Sequence, residues 1–173
     1  DLMKLSDEEM RQFRGRNIGM IFQDPMTSLN PIQRVVEHLV ETIQTHEPTV
    51  SNQAARARAA ELVDRLGISA NRLDDYPHQL SGGMRQRVMI SLALALNADL
   101  IIADEATTSL DVIVEAQFID LLQQLRRSFN LTILMITHNI GLVAEVADRV
   151  AVMYAGRMAE LGSARDVFKE PLH

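Results

Sequence analysis

Cysteine and tryptophan are both absent from the 173 residues. Without cysteine there is no disulfide and no thiolate metal site, which fits a reducing compartment. Lysine is almost absent as well. Only Lys4 and Lys169 occur, preceded by Met3 and Phe168. A phosphate-cradling loop of the form Gly-x-x-x-x-Gly-Lys-Ser/Thr needs glycine directly before the lysine, so no such loop exists anywhere in these residues. Long apolar runs are missing, and nothing approaches the length of a membrane span. The stretch Asp1-Leu2-Met3-Lys4 lacks the build of a signal peptide. A soluble, cytoplasmic chain is expected, one still free to dock on a membrane partner. An excess of positive charge is also missing. Seventeen basic against 23 acidic residues give a net charge of −6, which argues against a general nucleic-acid binder.

Apolar residues are plentiful at 47%, enough for a real core. The length suits one domain, or a core with a subdomain. The stretch Leu80-Ser81-Gly82-Gly83-Met84-Arg85-Gln86-Arg87 organises the rest. Gly82 and Gly83 are expected to let the backbone turn where a Cβ would clash. Ser81 is placed to cap the helical run that follows, and the exposed N–H groups of a helix start favour an anion. That run leads into the apolar strand Asp99 to Ala103, tipped by Asp104 and Glu105.

Elsewhere, Ser6-Asp7-Glu8-Glu9 predicts a capping box opening a helix through about Phe13. Asn17 to Gln23 predicts a buried strand ending in an amide, followed by a proline-punctuated loop, Asp24 to Pro31. Val35, Val36, Leu39, Val40 and Ile43 repeat at helical spacing, and a second helix is expected over 53–66, ended by Gly67. Residues about 32–97 therefore form an all-helical stretch between two strands. After the polar loop Ala106 to Asp111, the pattern predicts a helix over 112–129 closed by Asn130. A buried strand at 131–136 and a helix over 140–148 follow. Two strands, 149–154 and 157–161, then join at Ala155-Gly156, and a short helix ends at Lys169. Alternation of strand and helix after residue 98 implies a parallel sheet.

Three strands expected to be buried end in polar groups: Gln23, Asp104-Glu105 and His138. In a parallel sheet such ends share one edge. An amide, two carboxylates and an imidazole are the parts for metal-assisted hydrolysis of a phosphoanhydride. In that scheme Asp104 holds Mg²⁺ and Glu105 polarises the attacking water. His138 contacts the transferring phosphate, and Gln23 touches metal or water. His38, His46 and His78 show no metal-ligand spacing. The methionines are expected as core filling. Arg56, Arg58, Arg65 and Arg72 are expected on a solvated helix face.

With these stretches in this order, the chain resembles the nucleotide-binding subunit of an ABC transporter along its whole length. The matching parts are the Q-loop Gln23, the signature Leu80 to Met84, and the Walker B strand Leu100 to Glu105. The D-loop Ser109-Leu110-Asp111 and the switch residue His138 complete the set. The segments Phe22 to Pro31, His78 to Ile90 and Pro171-Leu172-His173 resemble the oligopeptide, dipeptide and nickel importer branch. The resemblance implies an α/β, P-loop NTPase-like (RecA-like) core formed by 1–31 and 98–173, with a helical subdomain at about 32–97. It implies ATP and Mg²⁺ as ligands, and a second ATPase subunit and transmembrane permease subunits as partners, with a solute-binding protein engaged indirectly. Uptake of peptides or a related small solute would be driven by ATP-dependent dimer closure at the cytoplasmic face of the membrane. Ser81, Gly82 and Gly83 would cover the γ-phosphate held on the other subunit, with Asp111 across the same interface.

Met84, Ala106 and Asn139 depart from the general family pattern, which has Gln, Pro and Asp there. The family carries its P-loop upstream of Gln23. The resemblance thus implies a fragment with the N-terminal part of the core missing, poorly stable and inactive toward ATP alone. Two other classes compete: a catalytically silent module that dimerises or docks, and a soluble ABC protein of DNA repair or translation.

Overall fold

A computed structural model describes residues 1–23, 28–107 and 111–172. Residues 24–27 of the expected loop, Thr108 with Ser109 and Leu110 of the D-loop, and the closing His173 lie outside the described residues. The described chain forms two compact units, 1–136 and 137–172.

The first unit opens with a 3-10 turn at Leu2–Lys4 and α1 at Asp7–Arg16. The Ser6 hydroxyl accepts from the Glu9 N–H at 3.3 Å, and the Glu9 carboxylate accepts from the Ser6 N–H at 2.8 Å, completing the expected capping box. Regular helix ends at Phe13, because Arg14 is extended and Gly15 has φ +83°. Strand β1 is Ile18–Ile21. Between it and β2, Leu100–Asp104, the described residues carry only helical elements. These are α2 (Val35–His46), α3 (Asn52–Arg65), 3-10 turns at Ala70–Asp74 and Pro77–Gln79, and α4 (Gly82–Leu94). Then come α5, Val112–Phe129, and β3, Thr132–Ile136.

Helix boundaries follow local chemistry. Ser51 and Ser81 cap α3 and α4 through their hydroxyls. Gly67, at φ +72°, turns the chain out of α3, and Asn130, at φ +52°, closes α5. The apolar stripe read on α2 is buried throughout. On α5 the buried face is Phe118, Ile119, Leu122 and Leu125. Leu121 and Phe129 are half-buried.

The three strands pair in the order β1-β2-β3, all parallel, as the alternation predicted. One face carries Ile21, Ile101 and Ile133 against Ile90, Ala93 and Leu94 of α4 and Leu122 and Leu125 of α5. The opposite face is less buried. Met20, Ile102 and Leu134 form one register row across the sheet, with Met20 and Leu134 exposed. The expectation of a buried third strand is therefore corrected. Among the described residues β3 pairs on one side only, and Leu134 and Ile136 are 50% and 47% exposed. The methionine expectation also fails, since Met89 is the only buried methionine among the described residues.

The four arginines do more than solvate a helix face. Arg56 pairs with Asp74 at 3.0 Å and Arg72 with Asp75 at 2.7 Å. Arg65 pairs with Glu61 and lies 5.7 Å from the Phe129 ring centre. Arg58 joins three elements: it donates to Glu47 at 2.8 and 2.9 Å and to the Ala95 carbonyl at 2.6 Å.

The second unit holds α6 (Ile140–Val146), β4 (Arg149–Tyr154), β5 (Arg157–Ser163) and α7 (Ala164–Lys169). β4 and β5 form their own antiparallel pair and do not extend the parallel sheet. Ala155 and Gly156, at φ +47° and +74°, make the two-residue turn that matches strand twist in hairpins.

Candidate functional site

The sheet order places the C-terminal ends of β1 and β2 side by side. Gln23 stands two residues beyond Ile21 and is exposed. Asp104 is the last residue of β2 and is half-buried, as is Glu105 after it. The Glu105 N–H donates to the Ile136 carbonyl at 2.9 Å, so the acid is attached to the end of β3. Its backbone is left-handed, with φ +45°. A branched or long side chain rarely adopts that conformation, and it costs about 1 kcal/mol or more. Such strain persists only where the surroundings hold it.

Ser81 caps α4, its hydroxyl accepting from the Met84 N–H at 3.3 Å. Gly82 and Gly83 are the first two residues of that helix. The expectation that a Cβ would clash there is corrected: neither glycine has positive φ, and no atom of the described residues lies within 4 Å of the position a Cβ would take. Nothing inside the fold demands glycine at either place. Two glycines in an exposed first turn instead leave the α4 N–H groups open to close approach from outside.

Asp111 caps α5, with one carboxylate oxygen accepting from Ile113 and Val114 N–H groups at 3.0 and 2.9 Å. In the second unit the Thr137 hydroxyl accepts from the Asn139 N–H at 3.0 Å, and the Asn139 side chain caps α6 through Leu142 at 3.2 Å. Asn139 thus keeps the capping function that an aspartate would serve. His138, between them, is exposed.

Among the described residues no group of three or more His, Asp or Glu gathers into a metal cage. Mg²⁺ does not need one, since it keeps waters and takes one or two protein oxygens beside phosphate oxygens. The Asp104 carboxylate and the Gln23 amide are hard oxygen donors at neighbouring strand ends, a donor set that fits it. No described helix is long and apolar enough to cross a membrane.

A profile described as "ABC transporter" matches residues 2–108. This chain belongs to the ABC transporter family. It is 50% identical over its full length to the oligopeptide transport ATP-binding protein OppD of Bacillus subtilis, of which it covers 49%. It is also 50% identical to the dipeptide transport ATP-binding protein DppD of the same organism, covering 52%. OppD of Salmonella typhimurium is 49% identical, again with 52% covered. The chain thus spans about half the length of the curated relatives it matches. Among solved structures, cbiO1 from Clostridium perfringens, part of the ABC transporter complex cbiONQ, superposes with TM-score 0.81 at 29% identity. It covers 95% of this chain and 64% of that one. The dimeric ATP-binding cassette MJ0796, bound to ADP and Pi, gives 0.76 at 28% identity, covering 94% and 69%. The α/β core with its parallel sheet is accordingly that of the ABC ATPase cassettes, the P-loop NTPase fold expected from the sequence.

One buried polar residue escaped the sequence reading. Gln86 lies 4% exposed on α4, and its side-chain amide donates to the Ala106 carbonyl at 3.3 Å. The signal was present: Gln86, Met89, Ile90 and Ala93 follow core spacing at i, i+3, i+4 and i+7, so the glutamine falls on the apolar face.

Proposed function

We propose that this chain supplies the Q-loop, signature, Walker B and switch groups of an ATP-hydrolysing subunit that drives peptide import. One observation carries the reading most: Glu105, at the tip of β2, is held in a left-handed conformation beside Asp104. Strain of that kind at a carboxylate on the carboxyl edge of a parallel sheet marks a positioned catalytic acid or base. Asp104 and Gln23 would hold Mg²⁺, which screens and polarises phosphate oxygens when bound. Glu105 orients and deprotonates the attacking water, and His138 steadies the transferring phosphate. Ser81, Gly82 and Gly83 close over the γ-phosphate of a second ATPase subunit, with Asp111 at the same junction.

Peptide uptake is favoured because relatives about 50% identical over the whole chain are named for oligopeptide and dipeptide transport; nickel is the alternative solute. Docking on transmembrane subunits at the cytoplasmic membrane face accompanies this role. The open groove along α2, lined by Gln33, Glu37, Val40, Glu41, Gln44 and Thr45, is the surface we assign to it. A solute-binding protein would act through those subunits, and no nucleic acid is involved.

A second reading has its own support. The residues contain no Gly-x-x-x-x-Gly-Lys-Ser/Thr, which supports a docking module without a phosphate loop of its own. ATP hydrolysis is therefore to be measured on the 173 residues alone and on a protein in which a P-loop segment is joined to them. We expect turnover only in the joined protein, falling about a thousandfold or more with Glu105→Gln. Turnover by the 173 residues alone, or an unaffected Glu105→Gln protein, would overturn the assignment.

A further inference from the structure

Glu105 occupies a backbone conformation that its side chain disfavours, so something must hold it there. Two hydrogen bonds bracket it. On one side its own N–H reaches the Ile136 carbonyl at 2.9 Å. On the other, one residue along, the Ala106 carbonyl accepts from the Gln86 side chain at 3.3 Å. Ala106 and Thr107 are buried, at 7% and 9% exposure, so that carbonyl has little access to water. The amide is a costly group to bury in an apolar helix face and is retained by its bond. No proline ring fixes φ at position 106, and the Gln86 side-chain bond restrains the peptide after Ala106.

Gln86 also lies five residues from Ser81 on one unbroken helix, about 7.5 Å along its axis. A displacement of the first turn of α4 therefore moves the Gln86 amide with it. We propose that Gln86 is a positioning residue for hydrolysis. By holding the Ala106 carbonyl it fixes the Glu105 loop and couples that loop to the helix whose first turn carries Gly82 and Gly83. This rests on the assignment of Glu105 as the residue that activates water.

The test uses the complete ATPase, in which these residues are joined to a P-loop segment. Gln86→Met keeps length and removes the N–H donor; Gln86→Leu keeps an apolar side chain of similar bulk and likewise offers no donor. Each is expected to lower kcat about tenfold to a hundredfold while the KM for ATP stays within about twofold. Unchanged kcat per folded molecule with only a lowered melting temperature would show packing alone and overturn the proposal. Glu105→Gln is run in parallel. A dead Glu105→Gln with active Gln86 variants defeats only the positioning role, whereas an active Glu105→Gln defeats the catalytic reading and the proposal with it. Should both Gln86 variants fail to fold, Gln86→Asn, which keeps the amide but is one methylene too short for the same bond, is assayed in their place. A fall in kcat of about tenfold or more at unchanged KM supports the proposal, and unchanged kcat overturns it.

Discussion

Gly19 of β1 lies directly against Ala93 of α4. A Cβ at residue 19 would fall inside the Ala93 carbonyl oxygen and 2.7 Å from Ile101 Cδ1. The obstacle is backbone, which cannot swing aside as a side-chain tip can. Gly19 therefore sets how closely α4 approaches the sheet. Gly19→Ala is expected to destabilise the fold by about 3 kcal/mol, read as a lowered denaturation midpoint, because overpacking of this kind forces helix and strand apart.

Gly82 and Gly83 call for the opposite result. Among the described residues nothing lies within 4 Å of a Cβ at either position, and alanine is the better helix former. Gly83→Ala is expected to leave stability unchanged or raise it by up to about 1 kcal/mol. ATP hydrolysis by a protein in which a P-loop segment is joined to these residues should nonetheless fall sharply. A calorimetric melt beside a hydrolysis assay separates the two. Loss of stability parallel to loss of turnover would show that these glycines serve the fold.

Arg58 fastens the end of α2 and the end of α4 to α3, through Glu47 and the Ala95 carbonyl. Its side chain is 29% exposed, so the pair is partly shielded from water. Arg58→Ala should cost about 1–2 kcal/mol, and Arg58→Lys most of that, since one ammonium cannot reach both partners with a planar fork. Urea denaturation of the three proteins gives the comparison.

Glu8, on α1, titrates at about 2, held below its ordinary 4.5 first by the Arg11 side-chain hydrogen bond and then by that from Gln12. Glu9 is lowered too, chiefly by the Ser6 backbone N–H. A depressed folded-state value means that the stabilisation is fully present above the unfolded value, near 4.5. It disappears as pH falls toward about 2. Both carboxyls are open to solvent, so the helix should fray only slightly. The clear readout is carboxyl NMR: Arg11→Ala should move the Glu8 midpoint up toward 4.5.

Much of this fold was legible because local signals agreed with one another. The capping box at Ser6, the stripe on α2, the limits of α5 and the hairpin turn at Ala155-Gly156 all declare themselves within a few neighbouring residues. The strand-end carboxylates were legible for the same reason, as charged residues closing an apolar run. What escaped depends on partners distant in sequence. The exposure of β3 follows from which strands pair with it, the need for Gly19 follows from α4 lying over it, and Arg58 looks solvated until Glu47 and Ala95 are brought to it. Gly82 and Gly83 misled for a further reason. Glycine usually answers a crowded or left-handed backbone, and here the fold supplies neither.

The left-handed backbone at Glu105 has a consequence for protein engineering. Asparagine and glycine tolerate that conformation far better than glutamate does. A variant library sorted by heat resistance alone would be drawn to position 105 and would enrich replacements that relax the loop while discarding the carboxylate. With Glu105 in its proposed role, the hardiest survivors would be inert, and an activity gate in each round is needed to keep the acid in place.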